Sequence, residues 1–396
     1  MVEKIGVVGA GQLARMMASE AIELNFDLSL LAESEYGCAV PAICNNDVGH
    51  YEDYAELYKF AQKIDVMTFD HEHVSYEFLK RLEEETDVQI SPSPDALLYA
   101  KDKLKMRQFM QDNNFPNPRW AAVSDTSAIS AATETLGGQA IVKTPRGGYD
   151  GKGVKFINSV EDISTVEPWF DDFQELLVEE VVDFDAELSV LCARNAHGDV
   201  KVWDVVETIQ KNGICAQVIA PAPELDVSVA RQAQEIAVAI GEEIGITGVY
   251  AVEMFYVAQA EMKLYINELA MRPHNSGHWT QNGSVTSQFE QHLRAVANLP
   301  LGSTKRTADF TVMYNLLGGV QDEMKNTDED TDSEVEKNLA FSQDFIQALQ
   351  VPEAKFHIYG KESEPGRKLG HVNVSGSNLE QVTRLAQQAH DLYQGA

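Results

Sequence analysis

The run from Gly248 to Pro273, GVYAVEMFYVAQAEMKLYINELAMRP, constrains the fold more than any other stretch. Two segments rich in Val, Ile, Tyr and Phe flank a short polar connection, a pattern that predicts an antiparallel β-hairpin. With the loop centred between Ala260 and Glu261, Glu253 lies directly opposite Glu268. Facing carboxylates repel across a sheet unless a cation sits between them. A hard divalent ion suits that place, because Mg2+ prefers a few carboxylate oxygens plus substrate phosphates to a full protein cage. Glu253 and Glu268, beside Asn267, are therefore candidate ligands for a nucleotide-bound Mg2+. The competing reading is that both acids merely end exposed strand faces.

At 396 residues, 44% hydrophobic and 23% charged, the chain has the composition of a globular protein of two or three domains. Its net charge of -31 argues against nucleic acid or an anionic membrane as partner, since both are bound through basic patches. An anionic substrate must then be met by a few local cations. Cys38, Cys44, Cys192 and Cys215 form no CxxC pair, which reads as reduced thiols and not a disulfide frame or zinc site. A strand begins almost at once, leaving no room for a signal peptide, and no apolar run reaches membrane-spanning length. The expected setting is cytoplasmic.

Lys4 to Val8 reads as a strand, followed by Gly9-Ala10-Gly11-Gln12-Leu13-Ala14 and a helix to about Leu24. A second strand, Leu28 to Ala32, ends at Glu33. This G-x-G-x-x-A turn with a following acid is what a nicotinamide dinucleotide site would use, although the same turn opens many doubly wound domains that bind none. Alternation continues through a strand over Asp65–Asp70, a helix near Ser75–Glu85 and a short strand near Val88–Ile90. A long helix is then expected from Asp95 to Asn113, its Lys101, Lys103, Lys105 and Arg107 read as a solvated face. Asp70-His71-Glu72-His73 follows a strand; a metal there lacks an evident third ligand, so a solvated strand end is the simpler account. Pro116 and Pro118 mark a domain boundary.

After a strand over Ala140–Lys143 comes KTPRGGYDGKG, with four glycines and three cations in Lys143–Gly153. Glycines let backbone N–H groups turn inward as an anion nest, and lysine supplies point charge. The spacing is not that of a P-loop. A hairpin lid over nucleotide phosphates accounts for it, with a plain surface turn as the alternative. Strands are expected over Glu175–Val182, from Phe184, over Val200–Glu207 and over Ile214–Ala220, with a helix over Asp226–Ile244. Past the hairpin, RPHNSGHWT puts Arg272, His274, Asn275 and His278 in one broken loop of active-site character, before a helix from Ser284 to Asn298. Beyond Pro300 a smaller unit of strands and helices is expected. Asp322–Lys337 reads as an acidic surface loop, and KESEPGRK, Lys361–Lys368, as a basic turn able to seat a phosphate or simply to join two strands.

Taken together, the lysine before GGYDGKG, the ELS strand, Glu253 with Asn267-Glu268, and RPHNSGHWT resemble the ATP-grasp superfamily. With GAGQLARMM and YGKESEPGRKLGH, they resemble within it the 5-(carboxyamino)imidazole ribonucleotide synthetases, over essentially the whole chain. The fold implied combines α/β and α+β parts. A doubly wound parallel-sheet domain over 1–115 precedes a lid subdomain over 116–183, a catalytic core over 184–302 and a C-terminal domain over 303–396 packed on the core.

The implied reaction is ATP-dependent carboxylation of 5-aminoimidazole ribonucleotide by bicarbonate through carboxyphosphate, in a homodimer. Carried over by position, Lys103 and Lys143 bind ATP phosphates and Tyr149, Asp150, Gly151, Lys152 and Gly153 form the lid. Glu179, Glu180, Val181 and Val182 line the adenine cleft, Glu187 holds the ribose, and Gln210 and Asn267 also face the nucleotide. Glu253 and Glu268 bind Mg2+. Arg272 steadies the bicarbonate-derived oxyanions, with Tyr149, Asp150 and His274 as further catalytic candidates. Gln12, Glu72, Tyr149, Asp150, His274 and Asn275 surround the ribonucleotide, with Lys361, Arg367 and Lys368 at its 5'-phosphate.

The chain departs from the family's usual pattern at three places. Lys103 stands for an arginine, Gln210 for a histidine, and Asp70-His71-Glu72 for Glu-x-Glu. Three other readings stay open: a formate-using ribonucleotide transformylase of the same superfamily, a nicotinamide-dependent oxidoreductase built on Gly9–Glu33, and a non-catalytic nucleotide binder.

Overall fold

A computed structural model of the chain describes residues 4–148, 152–318 and 342–395. The first layer is a parallel sheet of β1 (Lys4–Val8), β2 (Asp27–Ala32), β3 (Asn45–Val48), β4 (Val66–Phe69) and β5 (Gln89–Ile90), in the order β3-β2-β1-β4-β5. Its central strands are apolar on both faces because helices cover both. These are α1 (Gln12–Glu23), α2 (Tyr54–Ala61), α3 (Tyr76–Glu85), α4 (Pro94–Lys101) and α5 (Lys103–Asp112). Strand β3 and helix α2 lie in the stretch between Glu33 and Asp65, for which the sequence pattern predicts no element; β3 is the polar edge strand NNDV, whose pattern is weak.

The single helix expected over Asp95–Asn113 is two helices. Asp102 is extended, at φ -122° and ψ 105°, and its carboxylate accepts from the amides of Leu104 and Lys105 at 3.1 and 3.2 Å. It ends α4 and caps α5, because an aspartate competes with the helix for the same backbone donors.

A four-stranded sheet follows, β6 (Trp120–Val123), β7 (Ala140–Lys143), β8 (Val154–Ile157) and β9 (Leu176–Glu180), ordered β6-β9-β7-β8 and backed by α6 (Thr126–Thr135) and α7 (Val160–Val166). The remaining strands form one sheet. They are β10 (Ala186–Arg194), β11 (Val200–Val202), β12 (Val206–Lys211), β13 (Ile214–Ala220), β14 (Gly248–Tyr256), β15 (Leu264–Ala270), β16 (Phe310–Leu317), β17 (Lys355–Ile358) and β18 (Lys368–Gly376). The strand expected over Val200–Glu207 is divided between β11 and β12, with the fully buried Trp203 between them. Helices α8 (Val227–Ile244), α9 (Thr280–Gly283), α10 (Gln288–Val296), α11 (Gln343–Ala348) and α12 (Leu379–Tyr393) pack around this sheet. The helix expected from Ser284 begins later, at Gln288, where Ser287 caps α10 through the Glu290 amide at 3.0 Å.

The strands beyond Pro300 do not make a sheet of their own. Strand β16 pairs with β13 antiparallel, so the order runs β15-β14-β10-β12-β13-β16-β18-β17 without a break. The N-terminal layer is fused to the core by α10, whose Phe289, Leu293 and Val296 share one apolar cluster with Leu13, Met17 and Leu30. Buried among these contacts, His292 accepts from the Val249 amide through Nδ1 at 3.0 Å. Its proton therefore sits on Nε2, facing the Thr68 hydroxyl at 2.8 Å, so one imidazole ties β4 to β14. Asp322–Lys337, read as a surface loop, lies outside the described residues.

Candidate active site

Strands β14 and β15 pair Glu253 with Glu268, but not by the loop geometry assumed from sequence. From Met254↔Ile266 to Tyr256↔Leu264 the register centres on Ala260, and continued unchanged it would face Glu253 with Asn267. A β-bulge between Glu253 and Met254 takes up Asn267 as an extra residue. Bulges re-aim side chains, and this one turns the consecutive residues Asn267 and Glu268 toward the same cleft. Burial, then Glu268, then Glu187 push the Glu253 carboxyl up to about 8. Two acids held this way call for a cation.

The cations come from the other two layers. The break at Asp102 puts Lys103 in the first turn of α5, where its ammonium pairs with Glu268 and its amide donates to Pro145 at 2.9 Å. One turn on, Arg107 is fully buried, which corrects its reading as part of a solvated face. It donates to the carbonyls of Ile266 at 2.7 Å and Asn267 at 2.8 Å, gripping the bulge, and to the carboxylate of Glu179. Lys143 at the end of β7 reaches Glu179 at 2.7 Å and the Asn267 amide oxygen at 3.3 Å.

Glu179, expected on the adenine cleft, has its carboxylate sequestered instead. Burial alone would raise it, but Arg107 and Lys143 outweigh burial and hold it down at about 2. Strand alternation sends neighbouring Glu180 to the other face, onto Arg119 at 2.7 Å. Val181 is exposed, and Val182 follows it in the link to β10. Glu187 on β10 is raised by burial and steadied by a hydrogen bond from Gln210 on β12.

The RPHNSGHWT loop closes the cleft. Arg272 pairs with Glu72 at 2.9 Å, which joins it to the end of β4. His274 points Nε2 at Glu253, 3.4 Å away, and its Nδ1 meets the Ser276 hydroxyl at 2.8 Å. Asn275 lies against Cys215 of β13. The loop backbone is clamped by Gln288, which accepts from the His274 amide at 2.8 Å and donates to the His274 carbonyl at 2.9 Å. Its amide also bonds His278 Nδ1 at 2.8 Å.

At the far end, Lys361 donates to Gln12 at 2.5 Å, bringing the two chain ends together. Burial first, then Arg367 and Lys368 among the nearby charges, depress the Lys361 ammonium. Arg367 also pairs with Glu364 at 2.7 Å. Of the residues expected to form the lid, Tyr149, Asp150 and Gly151 lie outside the described residues, while exposed Lys152 and half-buried Gly153 sit in the turn that leads into β8. Gly153 is needed there, with φ at +66° and a would-be Cβ 2.4 Å from the Thr144 hydroxyl.

The glycine turn of β1–α1 is filled by the protein itself. Asp70 accepts from the Gly11 amide at 2.5 Å, and a Cβ at Gly9 would lie 1.8 Å from its carboxylate. These glycines make room for an internal acid, not for a dinucleotide pyrophosphate. His71 and His73 stack on each other at 5.2 Å, and among the described residues no group of three or more His, Cys, Asp or Glu is placed to hold a metal. Sequence reasoning missed Gln288 and misread Arg107. Nothing in the pattern singles out Gln288, but Arg107 lies one turn from Lys103 and beside Met106 and Met110 of the buried stripe.

An acid pair on an antiparallel hairpin, facing lysines from two other layers under a glycine-rich hairpin, defines an ATP-grasp ligase. Family models agree: a ribonucleotide synthetase preATP-grasp domain over residues 2–101, an ATP-grasp domain over 108–289 and a phosphoribosylaminoimidazole carboxylase C-terminal domain over 311–385. The chain belongs to the N5-carboxyaminoimidazole ribonucleotide synthase family. It is 42% identical over 386 residues to the synthase of Mycobacterium tuberculosis (strain ATCC 25618 / H37Rv), covering 97% of this chain and 86% of that protein. To the Corynebacterium ammoniagenes synthase it is 41% identical, over 98% of this chain and 91% of that one. The Thermus thermophilus synthetase structure superposes with a TM-score of 0.84 at 32% identity, over 98% of both chains. The Aspergillus clavatus synthase, solved with ADP and 5-aminoimidazole ribonucleotide, gives 0.86 at 27% identity, over 100% of this chain and 99% of that one.

Proposed function

We propose that this chain carboxylates the exocyclic amine of 5-aminoimidazole ribonucleotide with bicarbonate at the expense of ATP, giving N5-carboxyaminoimidazole ribonucleotide, ADP and phosphate in purine synthesis. The observation that carries this reading is the convergence of Lys103, Lys143, Glu253 and Glu268 on a cleft closed by Arg272 and His274.

A bicarbonate oxygen would attack the γ-phosphorus, forming the O–P bond of carboxyphosphate as the bridging oxygen leaves with ADP. The amine nitrogen would then attack the carboxyl carbon, the C–O bond to phosphate breaking as the amine gives up a proton. The reactants are all anionic or electron-rich, and like charges 4 Å apart repel by about 4 kcal/mol at an effective dielectric near 20. The cleft meets this with Lys103 and Lys143 for the triphosphate and Arg272, steadied by Glu72, for the carboxyphosphate oxygens. Glu253 and Glu268 fit Mg2+, being hard oxygen donors, of which Glu253 is pushed toward protonation by burial and by Glu268 even with Lys103 paired to Glu268. When bound, Mg2+ would neutralise charge on the phosphate oxygens. Gln12, Glu72, His274 and Asn275 would surround the ribonucleotide, with Lys361, Arg367 and Lys368 at its phosphate, and residues 149–153 would exclude water that destroys carboxyphosphate. The reading includes a cytoplasmic homodimer; among the described residues no helix is long and apolar enough to cross a membrane.

An assay of ADP release tests it. ADP should appear with the aminoimidazole ribonucleotide and bicarbonate, with labelled bicarbonate carbon entering the product. Turnover with formate in place of bicarbonate, and none with bicarbonate, would overturn the reading in favour of a transformylase.

A further inference from the structure

Lys361 is half-buried, yet its ammonium bonds a neutral amide, Gln12, and lies over an aromatic ring, that of Tyr359, at 6.0 Å from the centroid. Neither contact cancels a charge, and with Arg367 and Lys368 standing near it alongside the acid Asp70, the ammonium belongs to a cluster suited to an anion. Gly360, at φ +71°, turns the chain between the two so that Lys361 folds back over Tyr359. Tyr359 is itself almost fully buried, with its hydroxyl 2.7 Å from His371 Nδ1. The His371 ring stacks between His357 at 4.5 Å and His278 at 4.8 Å, and the Tyr359 ring stands edge-on to His278 at 6.4 Å. His278 in turn bonds Gln288, which clamps both backbone groups of His274. A close-packed column of side chains thus runs from Lys361 to His274, from β17 and β18 into the loop after β15.

We propose that Tyr359 is a positioning residue: it seats Lys361 at the ribonucleotide's phosphate and holds that seat in register with the loop that carries His274. The proposal rests on the functional reading above and goes beyond it. A phosphate does not react, so its binding aids the reaction only if its anchor is rigidly placed relative to the reacting ring. Interiors are packed like crystals, so a column of this kind transmits position and does not absorb displacement. The ring of Tyr359 serves the seat, and its hydroxyl serves the register.

Kinetics with the ribonucleotide and with its dephosphorylated nucleoside test this, the KM for ATP serving as internal reference. Tyr359→Leu, which removes ring and hydroxyl, is expected to raise the ribonucleotide KM by about tenfold and to shrink the preference for ribonucleotide over nucleoside by the same factor, with the ATP KM within about twofold. Tyr359→Phe keeps the ring, so the KM should return near wild type while kcat stays lowered by about threefold or more. Equal losses with ribonucleotide and nucleoside, or a parallel rise in the ATP KM, would reduce Tyr359 to a packing residue and overturn the proposal. Should the leucine variant not fold, Tyr359→Phe and His371→Gln decide: an unchanged kcat in both overturns it. A wild-type protein indifferent to the phosphate would instead sink the assignment of Lys361, a failure distinguishable from that of Tyr359 alone.

Discussion

Individual side chains in this cleft matter through what they leave behind when removed. Arg272 is the cation we propose for the carboxyphosphate oxygens, and its geometry is set by Glu72 at 2.9 Å. Arg272→Ala should lower kcat by about a hundred- to a thousandfold, as loss of one oxyanion donor does, in a steady-state ADP-release assay. Arg107 has the opposite profile. It is further from the chemistry, but removing it strands Glu179 with one cation fewer and frees two bulge carbonyls. Arg107→Met is therefore expected to cost about 3 kcal/mol in stability, measured by urea unfolding. Residue types were legible here where motif and chemistry coincide, as in Glu253, Glu268 and Lys143. Arg107 was not, because a charged residue on a helix is solvated by default and only the tertiary partners reverse that. Lys361 meeting Gln12 is beyond any local signal, the two lying at opposite ends of the chain.

Elements show where pattern reading holds and where local competition defeats it. The strands β1, β7 and β13 and the helix α8 follow from apolar period and capping residues, and the structure has them within a residue or two. Two of the misread elements share a cause: a polar residue that takes backbone hydrogen bonds. Asp102 does this between α4 and α5, and Ser287 at the start of α10. Register is a harder case. Glu253 opposes Glu268 as expected, yet the assumed loop centre is off and the bulge at Asn267 makes good the difference, which no periodicity reveals. The Asp102 break also aims Lys103, so Asp102→Ala should do two things at once. Loss of the cap is worth about 1 kcal/mol in a thermal or urea melt, and ATP affinity should fall in an equilibrium nucleotide titration as Lys103 loses its fixed position. A variant as stable and as tight for ATP as the parent would show that the break has no part in the site.

At the scale of the whole molecule, the layers are joined by buried imidazoles, and this makes the fold sensitive to acid. Burial lowers His292 to about 3, against 6.5 for a free side chain. The unfolded chain therefore takes up a proton near pH 6.5 that the folded chain refuses until about pH 3, so stability falls as pH drops through that window. By pH 5 the loss from His292 alone is about 2 kcal/mol. His71, His278, His357 and His371 are depressed in the same direction, also by burial first. Urea midpoints should drop steeply between pH 7 and pH 5, and the slope should be shallower in His292→Gln. Asp70 works the other way: burial raises it to about 6, so its share of stability is greatest in acid and declines as pH rises through 6.

The unbroken run of strands from β15 to β17 has one more consequence. Strand β13 finishes its hydrogen bonding on β16, a strand some ninety residues later in the chain. A chain shortened to the residues before Phe310 would expose a bare seven-residue β edge, ICAQVIA, with little charge to keep neighbours off. Such a fragment would stick to its own copies in solution instead of surviving as a weakened enzyme, and the C-terminal strands are what keep that edge from being templated.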